Sequence, residues 1–362
     1  MIDFEPDDEQ KLIVDTVRQF AANEVRPRAR ECDESRKLPL DVLQQSHELG
    51  LVANSLDEAY GGGGCRSALT AALLAEELAW GDLSIALAVL SPALLALPVT
   101  DFGTPDQKRQ WIPRFTGERF APASLAAVEP DFGSDPFAPR TTATREGDGW
   151  RIEGRKCLVP WIEGGDGVVV LATTDAGPQA FVVPRDAPGL GATPEQNMGI
   201  AGLPTVELEL ADVRVGSDAA LECDAGRNVA RILQRGRVAL AAAAVGVARA
   251  AFETARDYAK ERHAFGGPIA AKQAIAFKLA DMAIEIDGAR LLAWEAAWTL
   301  DQGRDAGREA SLALQQARRI ALEVSDAAVQ VHGGHGYIRE YLPEQLLRNA
   351  RGFACFEALA LV

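Results

Sequence analysis

A chain of 362 residues with 48% hydrophobic content has enough apolar material for several packed layers, or for two to three domains. Its formal net charge of −15 argues against general attraction to nucleic acid or anionic membranes, while leaving room for a local basic site that takes a phosphorylated ligand. Cys32, Cys65, Cys157, Cys223 and Cys355 are scattered, odd in number and lack a Cys-x-x-Cys pair, so they are read as reduced, mostly buried thiols and not as a disulfide framework or zinc ribbon.

Residues 1–120 read as an all-helical domain. The acidic start, Met1 to Glu5, lacks the basic and apolar segments of a secretory signal, and no uninterrupted apolar run approaches the roughly 20 residues that span a bilayer. A cytoplasmic protein without membrane or nucleic-acid partners is expected. Leu12, Val14 and Val17 alternate with charged residues at helical spacing, and Leu73, Leu74 and Leu78 resume the pattern after the glycine turn at 61–64. No strand precedes that turn, so it is not read as a phosphate-binding fingerprint. Ser84 to Leu97 is apolar almost throughout, as a segment buried on most sides should be.

Residues 121–225 change period. Short runs at 140–144, 150–152, 168–171, 181–183 and 206–210 are separated by Gly, Pro and Asp turns and predict a β domain. Residues 226–362 return to helix. Between Arg237 and Arg262 helix formers dominate, and Ala241 to Ala244 with Gly246 are small enough to admit a neighbouring helix closely. Gly266, Gly267 and Pro268 break this helix; Ile275, Leu279, Met282 and Ile286 then form one apolar stripe, and Pro343 starts the last segment. Antiparallel helices in a bundle are predicted.

Four strings occur in an order that identifies a family. Arg262-His-Ala-Phe265-Gly266-Gly-Pro268-Ile269 with Gln273 and Leu279-Ala-Asp281-Met282 resembles the acyl-CoA dehydrogenase flavoproteins. Phe102-Gly-Thr-Pro-Asp-Gln107-Lys108, Glu129-Pro-Asp-Phe-Gly133-Ser134-Asp135 and Gln330-Val-His-Gly333-Gly334-His-Gly336-Tyr337 extend the likeness over nearly the whole chain. The resemblance implies an α+β fold with an N-terminal helical domain, a middle β-barrel and a C-terminal four-helix bundle, assembled as a homo- or hetero-oligomer. It also implies FAD as cofactor, an acyl-CoA or other acyl thioester as substrate, and an electron-transferring flavoprotein as oxidant.

The resemblance assigns roles residue by residue. Arg262, Phe265, Gln273, Gln330, Gly333 and Gly334 match positions that reach the FAD of a neighbouring subunit, while Gly133 and Ser134 match the loop beneath the flavin and diphosphate. On residue chemistry alone the first group also reads as a capped helix end, and the second as an ordinary turn. Glu357, a lone acid among Phe353, Phe356 and Leu359, matches the catalytic glutamate that takes a proton from the α-carbon; an apolar surround would strengthen it as a base. Its bland alternative is a charge on a frayed end. Gly236 stands where another branch of the family carries its base, and offers none. His332 and His335 have no carboxylate or thiolate beside them in sequence to complete a metal set.

Departures from the family pattern gather around the flavin held mainly by the same subunit. Val128 replaces a threonine, Leu158-Val159-Pro160 replaces a Trp-Ile-Thr or Trp-Ile-Ser run, and Ala358-Leu359 replaces Gly-Thr. Three readings follow: a dehydrogenase desaturating acyl thioesters, a non-catalytic or FAD-poor partner in a heteromeric dehydrogenase, and a flavin-dependent oxidase of the same fold.

Overall fold

The computed structural model describes residues 6–222 and 226–362, so the acidic start at residues 1–5, Cys223 and the 225/226 domain boundary lie outside the described residues. The N-terminal region is helical: α1 (Asp8–Phe20), α2 (Ala29–Ser35), α3 (Leu40–Glu48), α4 (Ala68–Gly81), α5 (Leu83–Val89), α6 (Ala93–Phe102) and α7 (Pro105–Trp111). Helix α1 starts at a capping box between Asp7 and Gln10, and α7 at one between Thr104 and Gln107 with Pro105 at its first position.

Seven strands follow: β1 (Ser124–Ala126), β2 (Thr142–Glu146), β3 (Gly149–Pro160), β4 (Gly167–Thr174), β5 (Gly177–Pro184), β6 (Leu190–Pro194) and β7 (Thr205–Val215). β3 pairs antiparallel with β2 and β7, β7 with β6, and β4 with β5, while β1 lies parallel to β4. The strands form one mixed sheet in the order β1-β4-β2-β3-β7-β6, with β5 paired to β4, and this is the middle β domain that the family resemblance implies.

Helix α8 (Arg227–Glu261) leads through the two-residue strands β8 (His263–Ala264) and β9 (Gly267–Pro268) into α9 (Gln273–Asp301), α10 (Gly307–His332) and α11 (Pro343–Gly352). The small residues of α8 do what their size predicts. A Cβ on Gly246 would lie 2.2 Å from the Glu76 carbonyl oxygen, so α4 and α8 meet backbone to backbone. The Asp301 carboxylate, at the end of α9, accepts hydrogen bonds from the Ala68 and Leu69 amides at 2.6 and 3.1 Å, capping α4 and fastening it to the bundle.

The two stretches of highest mean hydropathy, Leu83–Phe102 across α5 and α6 and Arg227–Glu261 in α8, are mostly buried inside the fold. One sequence expectation needs correction. Of the four described cysteines, all free, Cys32 is buried, Cys157 is half-buried, and Cys65 and Cys355 are exposed, since both lie in turns outside the core.

Candidate active site

Because α8 and α10 run parallel and α9 runs against them, the end of α8, the start of α9 and the end of α10 share one end of the bundle. Arg262, Gln273, Gln330, Gly333 and Gly334 therefore come together there. The Tyr258 ring ties the two helix ends, stacking on His332 at 4.1 Å between centroids while its hydroxyl lies 3.0 Å from His335 Nδ1. Tyr341 stacks on His335 at 4.7 Å. The His332 Nδ1–H donates to the Ala328 carbonyl, and burial lowers the His332 pKa. Both imidazoles are thus packed into an aromatic cluster.

The polar heads at this end have no such partners. Arg262, Gln273 and Gln330 are exposed, and among the described residues their side chains make no hydrogen bond or ion pair. Phe265 caps the β8–β9 turn at φ 51° and is 94% exposed, a large apolar ring in solvent. Around Gly333 and Gly334 the space that a Cβ would take is open.

Gly133 and Ser134 lie in a different place, in the β1–β2 loop. Glu129 anchors that loop: its carboxylate accepts from the Thr141 amide and hydroxyl at 2.8 and 2.7 Å and from the Arg140 amide at 2.9 Å. The Glu129 amide donates to Ser134 Oγ at 3.1 Å. Lys156, fully buried, completes the anchor with Nζ 3.0 Å from Glu129 Oε1. Burial pushes the Lys156 pKa down to about 8 against the pull of that carboxylate. Burial also pushes Glu129 upward, but the Lys156 charge and the hydrogen bonds from Thr141 and Arg140 outweigh it and hold the group below its ordinary value. The loop reaches the centre of the protein through Phe137, whose ring lies 4.7 Å beneath the Arg237 guanidinium.

Glu357 sits at that centre, in surroundings unlike the apolar ones that the sequence predicts. Arg237 reaches both its oxygens at 3.4 Å, and Arg318 reaches Oε1 at 3.2 Å; the side chain is only 13% exposed. Arg237 also donates to Ser311 Oγ at 2.8 Å, and Arg318 to the Phe356 carbonyl. The correction has a simple cause. The residues beside Glu357 in sequence are apolar, but α8 and α10 each turn an arginine toward it.

Nor is Glu357 on a loose end. Ala358, Leu359, Ala360, Leu361 and Val362 are each at most 3% exposed, and Arg235 donates to the Val362 carbonyl at 2.5 Å. Ala358 takes φ 50°, a left-handed conformation that suits glycine better than alanine. A Cβ on Gly236 would approach the Ala358 Cα to 3.0 Å. The position that could carry a base on α8 is therefore filled by this chain's own tail.

At the other departures, the Leu158 amide sits in a bulge of β3 at φ 55° and donates to the Glu195 carboxylate, 3.0 Å away. Pro160 accepts from Ser124 Oγ at 2.6 Å. A crevice of about 290 Å³ separates Leu158 from Phe356 and is bordered by Met198 and Arg348. A larger, mostly apolar cavity of about 410 Å³ opens between α1 and α4, with Leu361 and Val362 in its lining. Sequence reasoning missed Arg237, Arg318, Glu195 and the Glu129–Lys156 pair. Arg237, next to the noted Gly236, was the one most open to detection.

These residues fit a flavin dinucleotide unequally. Free guanidinium and amide heads beside open glycines suit an adenosine diphosphate, whereas the Leu158 amide, at a position that the resemblance sets beside the flavin ring, already donates to Glu195.

The comparisons agree along the whole length. Family models for the acyl-CoA dehydrogenase N-terminal, middle and C-terminal domains match residues 7–119, 124–213 and 225–357. The chain is 38% identical to a probable acyl-CoA dehydrogenase of Bacillus subtilis, covering 97% of this chain and 94% of that one. It is 36% identical to the mitochondrial short-chain specific acyl-CoA dehydrogenase of Bos taurus, covering 94% and 84%. The structure of butyryl-CoA dehydrogenase from Megasphaera elsdenii superposes with a TM-score of 0.90 at 31% identity, over 98% of this chain and 96% of that chain. The chain belongs to the acyl-CoA dehydrogenase family, FAD-dependent oxidoreductases acting on the CH–CH group of acyl-CoA.

Proposed function

We propose that this chain works in α,β-desaturation of an acyl-CoA at a site where FAD lies across a seam between subunits, with Glu357 as the base. The carrying observation is the group of heads without a partner among the described residues, Arg262, Gln273 and Gln330, beside Gly333 and Gly334 and the exposed Phe265 at one bundle end. In this reading those six residues hold the dinucleotide from the neighbouring side, and Gly133 and Ser134 hold it from the chain's own side. FAD, when bound, supplies the acceptor for the hydride leaving the β-carbon. Glu357 takes the α-proton onto a carboxylate whose two oxygens Arg237 and Arg318 keep fixed. The buried tail from Ala358 onward keeps water from that side of the carboxylate.

The reading includes an electron-transferring flavoprotein as oxidant and a homo- or heteromeric assembly. It also includes a cytoplasmic address, which the four free cysteines favour. A second reading, a FAD-poor partner subunit completing a paralogue's site, draws on the Leu158 amide already held by Glu195 and on the alanine forced left-handed after Glu357. Purification of the chain alone separates the two: flavin absorption near one FAD per chain, with turnover of an acyl-CoA lost in Glu357→Gln, supports the dehydrogenase. A colourless chain that restores activity to a paralogue supports the partner, and a yellow Glu357→Gln variant with full turnover rejects the base.

A further inference from the structure

Helix α11 is the mount of Glu357. It ends at Gly352, and the buried rings of Phe353 and Phe356, edge to face at 5.6 Å, carry its position on toward the carboxylate. Three of its polar side chains fasten it to α2, to the loop before β7 and to the α4–α5 junction. Arg348 donates to both oxygens of Asp33 in α2 at 2.8 and 2.6 Å, and Asn349 Oδ1 accepts from the Ile200 amide at 2.7 Å. Gln345, 1% exposed, donates from Nε2 to the Ala29 carbonyl at 3.2 Å and to Asp82 Oδ2 at 3.1 Å.

The last of these fastenings is incomplete. Gln345 Oε1 is buried and has no hydrogen-bond partner among the described residues. Turning the amide over would set its oxygen against two acceptors, so the nitrogen stays where it is. Asp82, 3% exposed, caps α5 by accepting the Ile85 amide on Oδ1 at 3.0 Å. An ionised carboxylate only accepts, and has nothing to give Gln345 Oε1. A neutral carboxyl has an O–H to donate, and an acid and a primary amide then close a ring of two hydrogen bonds, Nε2–H to Oδ2 and Oδ1–H to Oε1, with a lone pair of Oδ1 left for Ile85.

The surroundings favour the neutral acid. Asp82 makes no ion pair among the described residues. Arg26 faces it from the turn before α2, but donates to the Trp80 carbonyl and lies over the Trp80 ring at 4.3 Å, where Glu253 and Arg249 of α8 also act on it. From α2 come Asp33, already held by Arg348, and the Cys32 thiol, which burial pushes up and keeps uncharged. Burial pushes Asp82 up to about 6, against the pull of the Ile85 amide and the Arg26 charge.

We infer, taking Glu357 as the base, that Asp82 and Gln345 are positioning residues: a proton held in their acid–amide pair seats α11 and with it Glu357, and its loss to solvent leaves a buried, unpaired charge that loosens the seat.

Hydrogen exchange of the α11 amides in the purified chain, corrected for the intrinsic dependence of exchange on pH, reads the seat directly. Opening of α11 lets Asp82 return to its ordinary 3.8, so opening in the wild type should rise about fivefold or more between pH 5 and pH 7. Asp82→Asn, neutral at every pH, is expected to show no such rise, and Gln345→Met, with no acceptor for the proton, to lose protection already at pH 5. Equal wild-type protection at the two pH values would overturn the inference, and so would an Asp82→Asn variant whose protection falls as steeply. Should that variant not fold, Gln345→Met as well protected as the wild type at pH 5 overturns it by itself. With butyryl-CoA as probe, the ratio of wild-type kcat to Asp82→Asn kcat should be higher at pH 5 than at pH 7 with little change in KM; a constant ratio removes the positioning role. The base and the seat fail separately. Full turnover in Glu357→Gln beside a pH-dependent α11 removes the base and leaves the seat, whereas an inactive Glu357→Gln beside a pH-independent α11 removes the seat alone.

Discussion

At the open end of the bundle, Arg262, Gln273 and Gln330 hold polar heads in solvent with no side-chain partner among the described residues. At the centre, Glu357 has both oxygens engaged, Arg237 is fixed by Ser311 and Phe137, and the tail behind is buried. The first region is unfinished until something arrives; the second is complete without a ligand. The difference teaches where binding energy would come from. Groups already free of partners give up only water when they bind, whereas a clamped carboxylate gains position and exchanges nothing.

The contrast breaks first at Glu357. Removing the base should lower turnover about 10²- to 10⁴-fold at unchanged FAD content, measured by steady-state oxidation of an acyl-CoA in Glu357→Gln. Equal rates would make the centre structural.

Next comes the anchor of the Ser134 loop. Glu129→Gln leaves Lys156 buried without its counter-ion, and chemical denaturation should show a loss of about 3–5 kcal/mol near neutral pH. The sign with pH is definite. Lys156 binds its proton less tightly in the fold, at about 8, than at its ordinary 10.5, so between those values the unfolded chain carries more protons and stability rises with pH. Without Glu129 the Lys156 pKa falls below about 8, so the variant's deficit should be full where Lys156 is charged in both folds, narrow as pH rises toward about 8 and stay level above it; a deficit that does not change as pH rises to about 8 would mean that the buried charge is not its cause.

Gly236→Val tests the tail. Its side chain would enter space that Ala358 holds 3.0 Å away, and overpacking of this kind costs about 1–3 kcal/mol, to be read as a lower denaturation midpoint. A valine accepted without loss would show the tail to be loosely held.

The smallest effect sharpens the same point. Ala358→Gly relieves a left-handed alanine worth about 1–2 kcal/mol and gives up one buried methyl worth about 0.8 kcal/mol. Strain should win, raising stability by less than about 1 kcal/mol in a thermal melt. A drop instead would place methyl packing above backbone strain.

The sequence exposed the helical ends and the small-residue face of α8 because those depend on local spacing and size: Gly246 had to meet a neighbour, and Gln107 had to close a cap on Thr104. It also showed Arg262, Gln273 and Gln330 as a set, through the order of the family strings. The surroundings of Glu357 were hidden, since Arg237 and Arg318 reach it from 120 and 39 residues away. Periodicity says nothing of contacts at that separation. The order of the strands in the sheet was equally out of reach, because short alternating runs do not declare which of them pair.

In the proposed function the bundle end grips FAD across a seam. That grip is tested most directly by titrating FAD into assembled protein carrying Arg262→Ala, Gln273→Ala and Gln330→Ala together, with assembly verified by sedimentation. A charge-assisted hydrogen bond of about 1.5–3 kcal/mol at Arg262 alone predicts FAD binding weakened by at least roughly tenfold. Undiminished affinity in a fully assembled triple variant would contradict it.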